Sequence, residues 1–100
     1  MANDLNSTLL EGTVKTITVS GNQVDFVLSV RKFVKIDNEM VEVISEIPCR
    51  AMGSLAESFK KFSDIGQGVQ VVGNLRGPLN GSVFVFCEHI EYKFGNKTKK

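Results

Sequence analysis

From Thr8 to Val19, apolar or β-branched positions alternate loosely with polar ones. Leu10, Gly12 and Val14 fall in one phase and Leu9, Glu11, Thr13 and Lys15 in the other, so the chain opens on a strand. Ser20-Gly21-Asn22 offers a tight turn, and beyond it Val24, Phe26, Leu28 and Val30 alternate with Asp25, Val27, Ser29 and Arg31. Two alternating runs across such a turn predict a hairpin. Lys35 to Glu39 is polar and holds Asp37-Asn38, which predicts a loop, and Met40 to Met52 is rich in Val and Ile, which predicts a third strand. Pro48 interrupts that strand. Proline has no donor for the ladder, so an edge, a bulge or an unpaired side is expected there.

Ser54 to Phe62 has a different period. Leu55, Phe59 and Phe62 recur at offsets of four and three while Glu57, Lys60 and Lys61 fall elsewhere, and Ser54 with Glu57 three residues on is a capping pattern. One short amphipathic helix is predicted. Gly66 and Gly68 end it, Val69 to Arg76 makes a fourth strand, Pro78 to Gly81 a turn, and Ser82 to Tyr92 a fifth strand. There is no internal repeat. Three strands, a helix and two strands predict an all-β domain, a five-stranded Greek-key OB-fold barrel with one short helix between strands 3 and 4 that plugs the open end. Another small barrel or an α+β sheet would share the same string. Residues 1–93 are read as the folded domain and 94–100 as a basic disordered tail.

Length and composition narrow this further. One hundred residues suffice for one core and not for two, and 42% apolar with 23% charged residues suits a packed globular chain. The formal net charge is +1, so any binding of a polyanion must rest on a local concentration of Lys and Arg. Cys49 and Cys87 sit inside apolar runs with no Cys or His at metal-ligand spacing, which suits reduced, buried thiols, a disulfide between them being the alternative. Met1 to Asp4 lacks the basic and apolar regions of a signal peptide, and no apolar run is long enough to span a bilayer. A cytoplasmic protein without membrane contact is expected.

Three stretches carry a family resemblance. Asn6 to Val14 reads Asn-Ser-Thr-Leu-Leu-Glu-Gly-Thr-Val, and Phe26 to Val30 is an alternating core segment. The most specific stretch has Gly53-Ser54-Leu55-Ala56-Glu57, then Phe59-Lys60-Lys61-Phe62, a glycine-rich turn, and Val69-Gln70-Val71-Val72-Gly73-Asn74-Leu75-Arg76. In these stretches the chain resembles the core domain of bacterial single-stranded DNA-binding proteins over residues 6 to 92, with primosomal replication protein N as a close relative. The resemblance implies an OB fold and binding of single-stranded DNA without sequence preference, in replication, recombination or repair. It also implies a nucleoid-associated location, replication proteins as partners, and a homotetramer built on first-strand edges, or else a dimer. Leu9, out of phase with Leu10, leaves apolar surface for such an interface. An OB-fold protein-interaction module with weak DNA binding is the alternative. The chain departs from the family pattern at Glu46 and Met52, where aromatics are common, and in the short turn Gly77 to Gly81 where the family extends an arm. It has no Trp, and it ends in Lys97-Thr98-Lys99-Lys100 rather than in an acidic tail.

Binding single strands needs cations along a backbone track and flat side chains for stacking. Arg31-Lys32-Phe33-Val34-Lys35 supplies both: Arg31, Phe33 and Lys35 share a phase opposite to Phe26, Leu28 and Val30, so they face outward together if the latter line the core. Lys15, Arg50 and Arg76 on the first, third and fourth strands are further candidates for phosphate contacts. Phe84, Phe86, Ile90 and Tyr92 share one phase and are read as core or interface, and Phe59 and Phe62 as helix-to-barrel packing. His89 has no partner at metal or catalytic spacing. No nucleophile elbow, P-loop or metal motif is present. No catalysis, metal or cofactor is expected.

Overall fold

The computed structural model describes residues 4–78 and 81–93, so the expected tail at 94–100 lies outside the described residues. Strands β1 (Thr8–Ser20), β2 (Gln23–Ile36) and β3 (Glu39–Met52) lead into helix α1 (Gly53–Phe62), followed by β4 (Gly68–Arg76) and β5 (Phe84–Lys93). The strands close a barrel in the order β1-β2-β3-β5-β4, the five-stranded OB arrangement with the helix between the third and fourth strands.

The alternation in β2 places Val24, Phe26 and Leu28 in the core. Opposite and beside them lie Val14, Cys49, Ala51, Val69, Val71, Val85 and Cys87. The helix closes one end: Ala56 and Phe59 are fully buried, and the Phe59 ring stacks on Phe26 with centroids 4.3 Å apart. Offset stacking of this kind adds about 0.5–1.5 kcal/mol to the burial of both rings. Gln67 is the one buried polar side chain among the described core residues, and its Nε2 donates to the carbonyls of Gly68 and Lys93 at 3.0 and 2.6 Å.

The helix entry differs from the capping pattern. Met52 is extended at the N-cap with no side-chain cap, and Glu57 instead pairs with Lys60 at 3.1 Å. The turn is made at Gly53, whose φ of +60° glycine adopts without strain and whose N–H donates to the Asn22 carbonyl at 3.0 Å. That bond satisfies one donor of the first turn, and because the helix begins at Gly53, Ser54 lies inside it rather than at the cap.

The expected loop from Lys35 to Glu39 is shorter than the polar composition suggests. Only Asp37 and Asn38 turn, at φ of 51° and 68°, the two positive values that a type I′ hairpin needs. β2 and β3 stay paired from Gln23↔Met52 to Ile36↔Glu39. The β1–β2 pairing ends at Thr13↔Ser29, and β3 meets β5 only at Cys49 and Arg50. Residues 30–45 therefore run beyond the barrel as a two-stranded arm. Pro48 lies one residue outside the β3–β5 pairing, where β3 has an open edge, as its missing donor requires.

Candidate nucleic-acid interface

The outward face of β2 and β3 is set by the core phase. With Phe26 and Leu28 buried, Asp25, Val27, Ser29, Arg31, Phe33 and Lys35 point away, opposite Arg50, Pro48, Glu46, Ile44, Glu42 and Met40. Phe33 is 61% exposed on the arm, with Arg31 and Lys35 on either side of it, also exposed. The structure thus brings Arg31, Phe33 and Lys35 together as the alternation predicts. Lys32 lies on the other face of the arm, opposite Val43.

Arg50 and Arg76 stand on the barrel wall, away from this cluster. Arg50 pairs with Asp25, and from there to Phe33 is about 26 Å along β2 at roughly 3.3 Å per residue. Arg50 donates from Nε to Asp25 Oδ1 at 2.8 Å, and its guanidinium lies 4.5 Å from the centroid of the Phe84 ring. The Arg76 guanidinium lies 4.2 Å from the centroid of Phe86, and its Nε donates to Asn74 Oδ1 at 2.7 Å. Each arginine over a ring makes a flat cationic layer, a surface suited both to a base and to a phosphate. Beside Phe84 a groove of about 280 Å³ runs between Thr16, Thr18, Val27 and Pro48.

Lys15 sits between the two groups. A bulge between Val14 and Thr16 interrupts the β1–β2 register there, and the Lys15 ammonium meets the Glu46 carboxylate. Arg31 pairs with Glu42 at 3.7 Å. Carboxylates thus accompany Lys15, Arg31 and Arg50, whereas among the described residues no ion pair engages Lys32, Lys35 or Arg76. Such exposed pairs are worth about 0–1 kcal/mol, so an arriving phosphate can replace the carboxylate.

Phe84 and Phe86 correct the single-phase reading of β5. The β4–β5 register runs Val72↔His89 and then Gly73↔Cys87, so Glu88 is an extra residue. The bulge splits the strand: Val85 and Cys87 point inward on one side of it and Ile90 on the other, leaving Phe84 and Phe86 half-buried on the outside. Tyr92 keeps the inward phase, its ring centroid 6.4 Å from that of Phe59. The signal in the sequence is the adjacent polar pair Glu88-His89 between Cys87 and Ile90, which breaks strict alternation.

Behind the wall, Cys87 lies beside Cys49. Their hydrogen bond, then burial, pushes the Cys87 thiol far above the ordinary cysteine range. Both cysteines are free and buried, as expected. Burial, and next the neighbouring Cys87, also raises Tyr92. Among the described residues no group of three His, Cys, Asp or Glu could hold a metal ion, and no helix is long and apolar enough to cross a membrane.

No family model and no curated protein matches the chain. Solved structures do. A small single-stranded DNA-binding protein from Streptomyces coelicolor is similar over 96% of this chain and 98% of that one, with a TM-score of 0.69 at 17% identity. The fold is that of the single-stranded DNA-binding proteins. The Plasmodium falciparum SSB, solved in complex with single-stranded DNA, gives a TM-score of 0.76 at 15% identity, covering 93% of this chain and 98% of that one. The dimeric N-terminal domain of PriB (primosomal protein N) from Thermoanaerobacter tencongensis gives 0.66 at 21%, covering 88% and 96%. At the level of fold, both resemblances read from the sequence are thereby borne out.

Proposed function

We propose that this chain binds single-stranded DNA without sequence preference, by phosphate contacts and base stacking on the outward face of β2, β3 and β5. One observation carries the reading: three aromatic rings, Phe33, Phe84 and Phe86, lie on that outward face, each beside an arginine or lysine. A strand would cross the Arg50–Phe84 and Arg76–Phe86 layers, pass Lys15, and follow the arm to Arg31, Phe33 and Lys35, while Lys32, on the arm's other face, stays out of this path. The similarity to a protein solved with single-stranded DNA supports the same reading. Residues 1–93 act as the binding domain and 94–100 as a basic tail. The setting is replication, recombination or repair, in the cytoplasm and on the nucleoid, with no chemistry of the chain's own. Thr8 to Gly12 are paired to β4 and lie beyond the β1–β2 pairing, which favours assembly through β1 into a tetramer, or a dimer as runner-up.

The test is an equilibrium titration of a dT oligonucleotide with wild type and an Arg50→Ala/Arg76→Ala variant. The double substitution is expected to weaken binding and to flatten its salt dependence by about 0.7 for each phosphate no longer neutralised. Unaltered affinity and slope would remove the barrel wall from the site. The exposed aliphatic residues of the arm favour a second reading, a protein-interaction module with weak DNA binding. It predicts wild-type affinity weaker than micromolar, together with a defined partner retained after nuclease treatment.

A further inference from the structure

The face of the arm turned away from Arg31, Phe33 and Lys35 continues the phase of the barrel core. Beyond the rim, where Val30 still packs against the core, it presents Val34, Ile36, Val41 and Val43, with Lys32 toward the base and Glu39 at the tip. Ile36 is 51% exposed, and Val41 and Val43 are 38% and 42% exposed. A two-stranded ribbon is marginal by itself, and an aliphatic face on it loses free energy to water until something covers it.

We infer that this face packs against the same face of a second copy of the chain, the two arms antiparallel about a two-fold axis that crosses the strands at the Val34–Val41 pair. Self-complementarity selects this occupant. On that face the pairs run Lys32↔Val43, Val34↔Val41, Ile36↔Glu39, and the two-fold lays the base of each arm over the tip of the other. Lys32 and Val43 then meet the partner's Ile36 and the partner's Glu39 as a group of four, in which Lys32 pairs with the carboxylate and Val43 with the aliphatic chain. The ion pair is formed twice. Within one chain neither Lys32 nor Glu39 belongs to an ion pair among the described residues, so both are available to the second copy. Isologous interfaces repeat their contacts in this way. The contact is small beside the roughly 20–30 residues a side of a standard interface, so this association is concentration-dependent. It is distinct from the β1 edge, and it leaves the Phe33 face open. It also holds with or without nucleic acid, so its failure would leave the proposed DNA binding untouched.

Sedimentation equilibrium without DNA tests it. Val41→Asp is expected to lower the mass by one association step relative to wild type across a concentration series. Lys32→Glu should do the same by setting like charges together, and Lys32→Glu with Glu39→Lys should restore the wild-type mass, because the swapped pair regains its complement. These surface changes lie outside the barrel, and circular dichroism checks that each variant is folded. Equal masses for wild type and Val41→Asp would overturn the inference, as would a double swap that fails to restore what Lys32→Glu removes.

Discussion

At the residue scale, the proposed interface is a set of cations held beside flat rings and, in three cases, beside a carboxylate. Phe33 is the most exposed of the three rings, and Phe84 and Phe86 lie beneath Arg50 and Arg76. Base–aromatic stacking is worth about 1–3 kcal/mol per base, so Phe33→Ala and Phe84→Ala should each weaken dT binding by about 5- to 150-fold in a fluorescence titration. An unchanged affinity would remove that ring from the site. Asp25 has the opposite sign. It holds Arg50 at 2.8 Å, and a phosphate must displace it, so Asp25→Asn should tighten binding by up to about fivefold at low salt, the worth of an exposed pair. The Arg31-Phe33-Lys35 cluster was legible in the sequence because β2 alternates without interruption from Val24 onward, and one buried residue then fixes the direction of every other. The ion pairs of Lys15 and Arg50 were not legible, since they join residues on different strands and depend on register.

At the element scale, two bulges decide what the alternation cannot. The break between Val14 and Thr16 turns β1 from β4 to β2, and the extra Glu88 moves Phe84 and Phe86 to the outside of β5. Both phases of Val83 to Cys87 are apolar, so periodicity alone gives no preference there; only the polar pair Glu88-His89 marks the change. The tip of the hairpin arm likewise has the composition of a loop, because polar residues at an isolated tip and in a loop are the same residue types. Gly73 allows the β5 bulge. A Cβ there would lie 2.2 Å from the Phe86 carbonyl oxygen, so β4 and β5 would have to separate. Gly73→Ala should therefore cost about 1–3 kcal/mol, read as a lower urea midpoint at unchanged slope. An unshifted midpoint would mean that the strands give way freely at this point.

At the scale of the whole molecule, the five strands and the helix between the third and fourth followed from period, punctuation and length, because core burial and local propensity agree over most of the chain, whereas their closure into this barrel order was implied by the family resemblance. Its charge did not point to a polyanion: the net value is +1, and any attraction depends on where the cations stand. The core adds a pH dependence of its own. Cys87 is raised by its hydrogen bond to Cys49 and by burial, so the folded state favours the protonated thiol. That contribution is fully present below the unfolded cysteine value of about 8.5 and is lost as pH climbs above it, so the urea midpoint should fall from pH 8 to pH 10 and recover in a Cys87→Ala background. A midpoint that falls equally in both would place the loss elsewhere. Single-strand binding itself is tested most directly by the anisotropy of a labelled dT oligonucleotide, titrated at low and moderate salt beside a duplex of the same length. The expected result is binding to the single strand that weakens as salt rises, with little binding to the duplex. No binding at micromolar protein, or equal binding to both, would contradict it.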